Sequence, residues 1–169
     1  MNYNESRARI IDAWGALGTS WGISRTMAQI HALLMLSPEP MTTDDIITEL
    51  QISRGNVSMS LRGLIDWGII RKVYKPGQRK ELYESEKDVY ELATQVAKER
   101  RRRELEPIIR VLEDVQAIKD PTVSKSKVTE MNKMTKHLLK FAKQSDGLLS
   151  LFIRSEENWF FSKVLKLLK

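Results

Sequence analysis

The stretch that decides the fold runs from Ser53 to Glu84 and reads SRGNVSMSLRGLIDWGIIRKVYKPGQRKELYE. Its first half predicts a helix that starts at the N-cap Ser53, ends near Gly68 and carries one apolar stripe, formed by Val57, Leu61 and Leu64. Its second half has β-rich residues at 69–74 and 79–83 on either side of a turn at 75–78. The stretch therefore predicts a helix followed directly by a β-hairpin.

Two shorter helices are predicted before this stretch. Residues 23–36 have helical apolar spacing and stop at a Ser-Pro-Glu-Pro sequence, and Thr42 or Thr43 then caps a second helix with acids in its first turn. Three helices followed by a hairpin form a winged helix-turn-helix, in which the hairpin is the wing. We expect a mainly α protein with one β-hairpin wing.

Helical periodicity also covers both flanks of this motif. Residues 7–17 are amphipathic, Ser85–Asp88 has the pattern of a capping box, Pro107 should kink or restart the helix that follows, and two further helices are predicted at 125–144 and 147–168. We therefore divide the chain into an N-terminal dimerisation helix (1–20), a winged helix-turn-helix (21–84), and a long linker helix with a C-terminal helical dimerisation region (85–169).

Composition excludes several classes of protein. The 169 residues contain no cysteine and two histidines, which excludes disulfides and thiolate metal sites and leaves little for an imidazole site. No catalytic triad, phosphate loop or metalloprotease motif is present, no apolar run is long enough for a membrane span, and the first residues lack the apolar stretch of a signal peptide. We expect a cytoplasmic protein that is not an enzyme and uses neither cofactor nor metal.

The net charge of +6 is concentrated in one segment. Residues 51–80 hold seven basic side chains and one acid, whereas the rest of the chain has equal numbers of both signs. The predicted helix at 53–66 turns toward solvent a face whose side chains could read base edges or approach them closely, formed by Arg54, Gly55, Asn56, Ser58, Met59 and Arg62. A polar outer face or a basic hairpin alone is usually only a solvated surface, but the two together favour nucleic acid.

Several segments together resemble the GbsR branch of the MarR-type winged-helix regulators. The resemblance covers about residues 14–112 and is carried by AQIHALL (28–34), MTTDDI (41–46), SRGNVSMSLR (53–62), WGII (67–70), KPGQR (75–79) and ERRRRELEP (99–107). It implies a homodimeric, sequence-specific regulator of transcription, most often a repressor, that binds a palindromic operator on the nucleoid. Its half-sites would lie about one helical turn, 10–10.5 bp, apart.

The resemblance and the residue types together assign expected contacts. Phosphate contacts are expected from Thr42, Ser53, Lys72 and Lys80, base readout from the 53–66 helix, and minor-groove contact from Arg79 at a wing tip that also holds Lys75 and Gln78. Small-molecule sensing is a further implication, with Trp21, Tyr90 and Trp159 as candidate pocket aromatics. The alternative function is a winged helix used for protein contact or for non-specific architectural DNA binding.

Two other features have open interpretations. The run Arg100–Arg103 could clamp phosphate or acids across a dimer, or it could be a solvated helix turn that pairs with Glu99, Glu104 and Glu106. Charge runs on helices usually face water, which favours the second interpretation. His31 follows Ile30 on an apolar helix, so we expect a buried histidine with its hydrogen bonds satisfied and not a ligand.

Overall fold

The computed structural model describes residues 1–77 and 79–155, which form seven helices and three short strands. The helices are α1 (Tyr3–Ser20), α2 (Arg25–Leu36), α3 (Thr43–Leu50), α4 (Arg54–Asp66), α5 (Val89–Arg100), α6 (Glu106–Asp114) and α7 (Lys125–Ser155). The strands are β1 (Met41–Thr42), β2 (Ile70–Val73) and β3 (Leu82–Ser85). The chain divides into two compact units, of which the first spans Met1–Leu92 and the second begins at Ala93.

The core of the first unit is built on α2. Ile30, Leu33 and Leu34 of this helix are almost completely buried, and α4 turns its predicted stripe of Val57, Leu61 and Leu64 into the same core. The apolar face predicted for this helix is therefore confirmed, and its opposite face is left in solvent.

Close contact between α1 and α2 depends on glycine. A Cβ added at Gly18 would lie 2.4 Å from Ala28 Cβ, and one added at Gly15 would lie 2.8 Å from Gln29 Cγ. Both glycines are buried, so the two helices approach more closely than side chains at these positions would permit. This packing fixes the helix that precedes the helix-turn-helix.

The wing belongs to a three-stranded antiparallel sheet with the order β1-β3-β2. The predicted hairpin is present, but β3 begins at Leu82 and not at residue 79, because pairing ends where Val73 faces Leu82. The sequence did not predict β1, whose two residues pair with Leu82 and Tyr83. A strand of two residues is too short for any periodicity to show.

The start of α5 differs from the predicted capping box. Ser85 lies in β3, and its hydroxyl donates to the Ile69 carbonyl instead of capping a helix. Asp88 has the capping role, because its carboxylate accepts from the backbone N–H groups of Tyr90 and Glu91. The predicted capping residue of α5 was therefore wrong by three positions, because strand pairing holds Ser85 in the sheet.

The helices after residue 89 differ from the predicted ones in two places. The helix of α5 passes through a π-helical turn at Arg101–Leu105 into α6, so the irregularity expected near Pro107 is a wider turn just before it. The break expected near residues 145–146 is absent, since α7 is continuous through Gly147. One glycine inside a helix costs only about 1 kcal/mol, which the packing of Leu139 and Ala142 against Leu112 of α6 can offset.

Within residues 1–77 and 79–155, no helix combines the length and hydropathy needed to span a membrane. The same residues contain no group of three or more metal-ligating side chains of the His, Cys, Asp and Glu types.

Candidate nucleic-acid interface

The outer face of α4 has the exposure that base reading requires. Ser53 caps the helix by accepting a hydrogen bond from the backbone N–H of Asn56, at 3.4 Å. All the residues predicted for this face are exposed, namely Arg54, Gly55, Asn56, Ser58, Met59 and Arg62. The side chain of Met59 is notable, since 61% of this large apolar residue is exposed on an otherwise polar surface. An apolar group in this position can contact a thymine methyl group.

The backbone at the N-terminus of α4 leaves space for a close approach. A Cβ added at Gly55 would meet no atom within 4 Å, so the first turn of the helix presents little but backbone and the side chains of Arg54 and Asn56. A helix N-terminus also carries unpaired N–H groups and a partial positive charge that favour phosphate. This end of α4 is therefore suited to lie against a nucleic-acid backbone.

The wing adds a second basic surface. Lys72 lies on β2, whereas Lys75, Arg79 and Lys80 lie in the loop between the two strands, and all four side chains are exposed. Gly77 has a positive φ of 81°, which allows the tight turn after Pro76. Gln78, also predicted for this surface, lies outside the described residues.

Most of the wing cations are paired with carboxylates that the sequence analysis did not assign to the site. Lys72 Nζ donates to Glu81 at 2.6 Å, and Lys75 Nζ donates to Glu39 at 3.0 Å. The hydrogen bond that Lys72 donates to Glu81 raises the pKa of Lys72 above its ordinary value, so this lysine remains charged. These pairs are exposed, and pairs of this kind contribute little to stability.

Asp44 joins the wing to α4. It accepts from Arg54 Nη2 at 2.5 Å and from Lys80 Nζ at 2.7 Å. The hydrogen bond from Lys80 and, after it, the one from Arg54 lower the pKa of Asp44 below its ordinary value. The sequence pattern had explained Asp44 only as an acid in the first turn of a helix, and its pairing with residue 80 could not be inferred from local spacing.

Thr42 does not lie on this surface. Its side chain is buried, and its hydroxyl donates to the Asp45 carboxylate at 2.7 Å while it accepts from the Asp45 backbone N–H. The expectation of a phosphate contact from Thr42 is therefore corrected, because its hydroxyl is used in the capping box of α3.

The candidate effector aromatics are not enclosed. Trp21 follows α1 and Tyr90 is in the first turn of α5, and each is 52% exposed. Trp159 lies outside the described residues. Neither described aromatic stands in a closed cage in this conformation.

The run Arg100–Arg103 is paired with acids of its own unit, as the second interpretation expected. The buried Glu99 accepts from Arg102 and Arg103, and Arg100 pairs with Glu104 at 3.5 Å. Arg101 also reaches α7, where its Nε donates to Asp146 at 2.6 Å. These arginines therefore fasten the π-helical turn to its own helix and to α7.

Comparison with known proteins agrees with this geometry. Residues 21–81 match the model described as the MarR family. A relative from Bacillus subtilis (strain 168), the HTH-type transcriptional repressor GbsR, is 26% identical over 113 residues, which are 67% of this chain and 62% of that protein. The HTH-type transcriptional repressor OpcR of the same organism is 29% identical over 72 residues, which are 43% of this chain and 39% of that protein.

The fold of the chain also has a counterpart among solved structures. A solved structure described as a transcriptional regulator aligns with 86% of this chain and 98% of its own, with a TM-score of 0.54 and 17% identity. This similarity confirms the predicted fold class. The match to GbsR spans less than two thirds of the length of that protein. The sequence resemblance to the GbsR branch is confirmed by the relatives GbsR and OpcR.

Proposed function

We propose that the chain is a sequence-specific DNA-binding regulator of transcription that acts as a homodimeric repressor on a palindromic operator. The observation that carries this proposal is the exposed outer face of α4, with Asn56, Met59 and Arg62, beside the exposed cations of the wing. The match of residues 21–81 to the MarR family and the repressor names of two relatives support it. Such a protein would act in the cytoplasm, on the nucleoid.

Base reading is assigned to the middle of the α4 face. Asn56 can donate to and accept from adenine, Arg62 can bind guanine, and Met59 offers an apolar contact to thymine. Ser58 lies one residue before Met59 and is also exposed. Arg62 Nε donates to the Ser58 carbonyl at 3.3 Å, which orients its guanidinium along the helix.

Phosphate contacts are assigned to the edges of this face. Ser53 and the N-terminus of α4 lie at one edge, and Lys72 and Lys75 extend the basic surface along the wing. Arg79 is placed in the minor groove, since it is exposed in the wing loop two residues beyond the turn at Gly77. Arginine is suited to a narrow minor groove because of the negative potential there.

Dimerisation is assigned to an exposed apolar seam on α7. Six residues at alternating spacings of three and four, interrupted only at Ser145, are between 42 and 71% exposed: Met131, Met134, Leu138, Phe141, Leu148 and Phe152. A neighbouring side of α7, with Thr135, Leu139 and Ala142, is already buried within the unit. A heptad seam of this length is typical of a helix that packs against a second helix, and a second copy supplies one.

The experiment that tests DNA binding is the selection of bound sites from a random duplex library, followed by titration of variants on the selected site. Asn56→Ala and Arg62→Ala should each weaken binding by about 1–3 kcal/mol and relax the preference at one base position. Arg9→Ala, which removes an exposed cation of α1, is the matched control and should leave the preference unchanged.

Two results would contradict this proposal. Uniform weakening by the α4 variants, with the preference intact, would mean that the wrong face has been assigned. Salt-dependent binding without any selected site would favour a non-specific architectural role. Repeating the selection with small metabolites tests whether the protein responds to an effector, as its relationship to the GbsR branch suggests.

A further inference from the structure

One carboxylate on the proposed DNA surface is shared by two cations from different elements. Asp44 Oδ1 accepts from Arg54 Nη2 of α4 at 2.5 Å, and Asp44 Oδ2 accepts from Lys80 Nζ of the wing at 2.7 Å. α4 and the wing therefore both donate to the carboxylate of Asp44.

Asp44 has only a minor role in building α3, as an acid of its first turn. The capping box of this helix consists of Thr42 and Asp45, and Asp44 takes no part in it. The ion pairs of Asp44 are open to solvent, since its side chain is 42% exposed and those of Arg54 and Lys80 are 70 and 65% exposed. Ion pairs this exposed contribute little to folding stability, so stability alone gives a weak reason for the arrangement.

The arrangement matches the requirements of a phosphate site. A guanidinium and an ammonium that reach the two oxygens of one carboxylate can reach two oxygens of one phosphate, which presents the same kind of acceptor. Arg54, which supplies the guanidinium, is the first residue of α4.

We infer that Arg54 and Lys80 form a clamp for one phosphate of the DNA backbone, and that Asp44 is the built-in competitor that occupies the clamp in the free protein. This inference rests on the proposed function. It moves Arg54 from the base-reading residues, where its position on the helix placed it, to the phosphate contacts. Binding of duplex DNA then exchanges a carboxylate for a phosphate, and Asp44 limits the affinity that the two cations can supply.

The expected magnitude follows from counterion release. Each phosphate that a protein neutralises adds about 0.9 to the negative slope of log K against log salt concentration. If Asp44 cancels about one such contact, Asp44→Asn should steepen the slope by up to about 0.9 and tighten binding about fivefold at roughly 0.15 M salt. The gain should be independent of sequence, because phosphate contacts carry no base information.

The experiment measures binding of the full chain to a random-sequence duplex at several salt concentrations. Three variants are compared with the wild type: Asp44→Asn, which removes the competing charge, Asp44→Glu, which keeps it, and Glu49→Gln. Glu49 is the matched control, because it lies on the same helix but pairs with Arg7 of α1 at 2.6 Å. Asp44→Asn alone should bind more tightly, and circular dichroism melting should show that all three variants fold.

The outcomes separate this inference from the proposed function. If the wild type binds DNA and Asp44→Asn binds equally or less tightly, the competitor is refuted while DNA binding stands. An equal gain from Glu49→Gln would refute it too, since net charge alone would then explain the effect. If the wild type shows no salt-dependent binding to any duplex, the proposed function itself fails.

The assignment of Arg54 has a second test that does not depend on Asp44. Arg54→Ala and Lys80→Ala should each weaken binding to all sequences by a similar factor and lower the salt slope, and the double variant should lose little more than either single one. A change of base preference in Arg54→Ala would overturn the clamp and return Arg54 to base reading.

Discussion

The pH dependence of folding should be governed in part by His31, a buried histidine of α2. Its side chain is only 5% exposed, and its Nδ1 accepts a hydrogen bond from Trp14 Nε1 at 3.4 Å. Among the described residues, Nε2 has no hydrogen-bond partner. The expected burial of His31 is confirmed, but its hydrogen bonding is only half satisfied. Protonation would place a second donor against the Trp14 N–H and a charge in the core.

Burial lowers the pKa of His31 from 6.5 to about 4. The folded state therefore keeps the imidazole neutral between these values, whereas the unfolded chain binds a proton there. The stabilisation is complete above about pH 6.5, is lost as the pH falls toward 4, and falls no further below that pH. The difference between the two pKa values corresponds to about 3 kcal/mol of unfolding free energy.

Urea denaturation followed by circular dichroism at about pH 7, 5.5 and 4 measures this loss. His31→Gln retains an acceptor for Trp14 but cannot titrate, so it should lose about 3 kcal/mol less than the wild type over this range. His137→Gln, at an exposed position on α7, is the control and should behave like the wild type. Equal losses in the wild type and in His31→Gln would refute the reasoning, because carboxylates titrate in both proteins.

Two further predictions concern packing. In urea denaturation, Gly18→Ala should lower the unfolding free energy by about 1–3 kcal/mol, because the new Cβ would lie 2.4 Å from Ala28 Cβ. Gly55→Ala is the control, because its Cβ would meet no atom within 4 Å, and it should be neutral or stabilise the protein by up to about 1 kcal/mol. A Gly18→Ala protein as stable as the wild type would mean that α1 and α2 can separate freely. The double variant Leu138→Glu/Phe141→Glu should reduce the mass measured by light scattering from that of two chains to that of one. Lys140→Glu, on the same helix, is the control and should leave the mass unchanged. An unchanged mass in the double variant would place the dimer interface elsewhere.

The helix and hairpin of the 53–84 stretch could be predicted because their signals are local. Capping by Ser53 and the apolar spacing of Val57, Leu61 and Leu64 all act within one helix, and the structure confirms each of them. The start of β3 and the presence of β1 depend instead on the pairing of residues 41–42 with 82–83. A contact across 40 residues leaves no periodic trace in so short a strand.

The charge of the candidate site shows the same limit more clearly. Residues 51–80 contain a formal excess of six positive charges, and the folded chain exposes these cations on the outer face of α4 and on the wing. The folded chain brings carboxylates from outside that segment against it, and Glu39, Asp44 and Glu81 pair with three of its lysines. A charge count along the sequence therefore gives only the number of cations in the segment. The fold decides how many of these cations are paired with an acid of the same chain. In the proposed function, a phosphate has to displace that acid. Because an exposed pair is held weakly, the affinity of the proposed DNA surface should depend on this exchange of partners and not on the net charge alone.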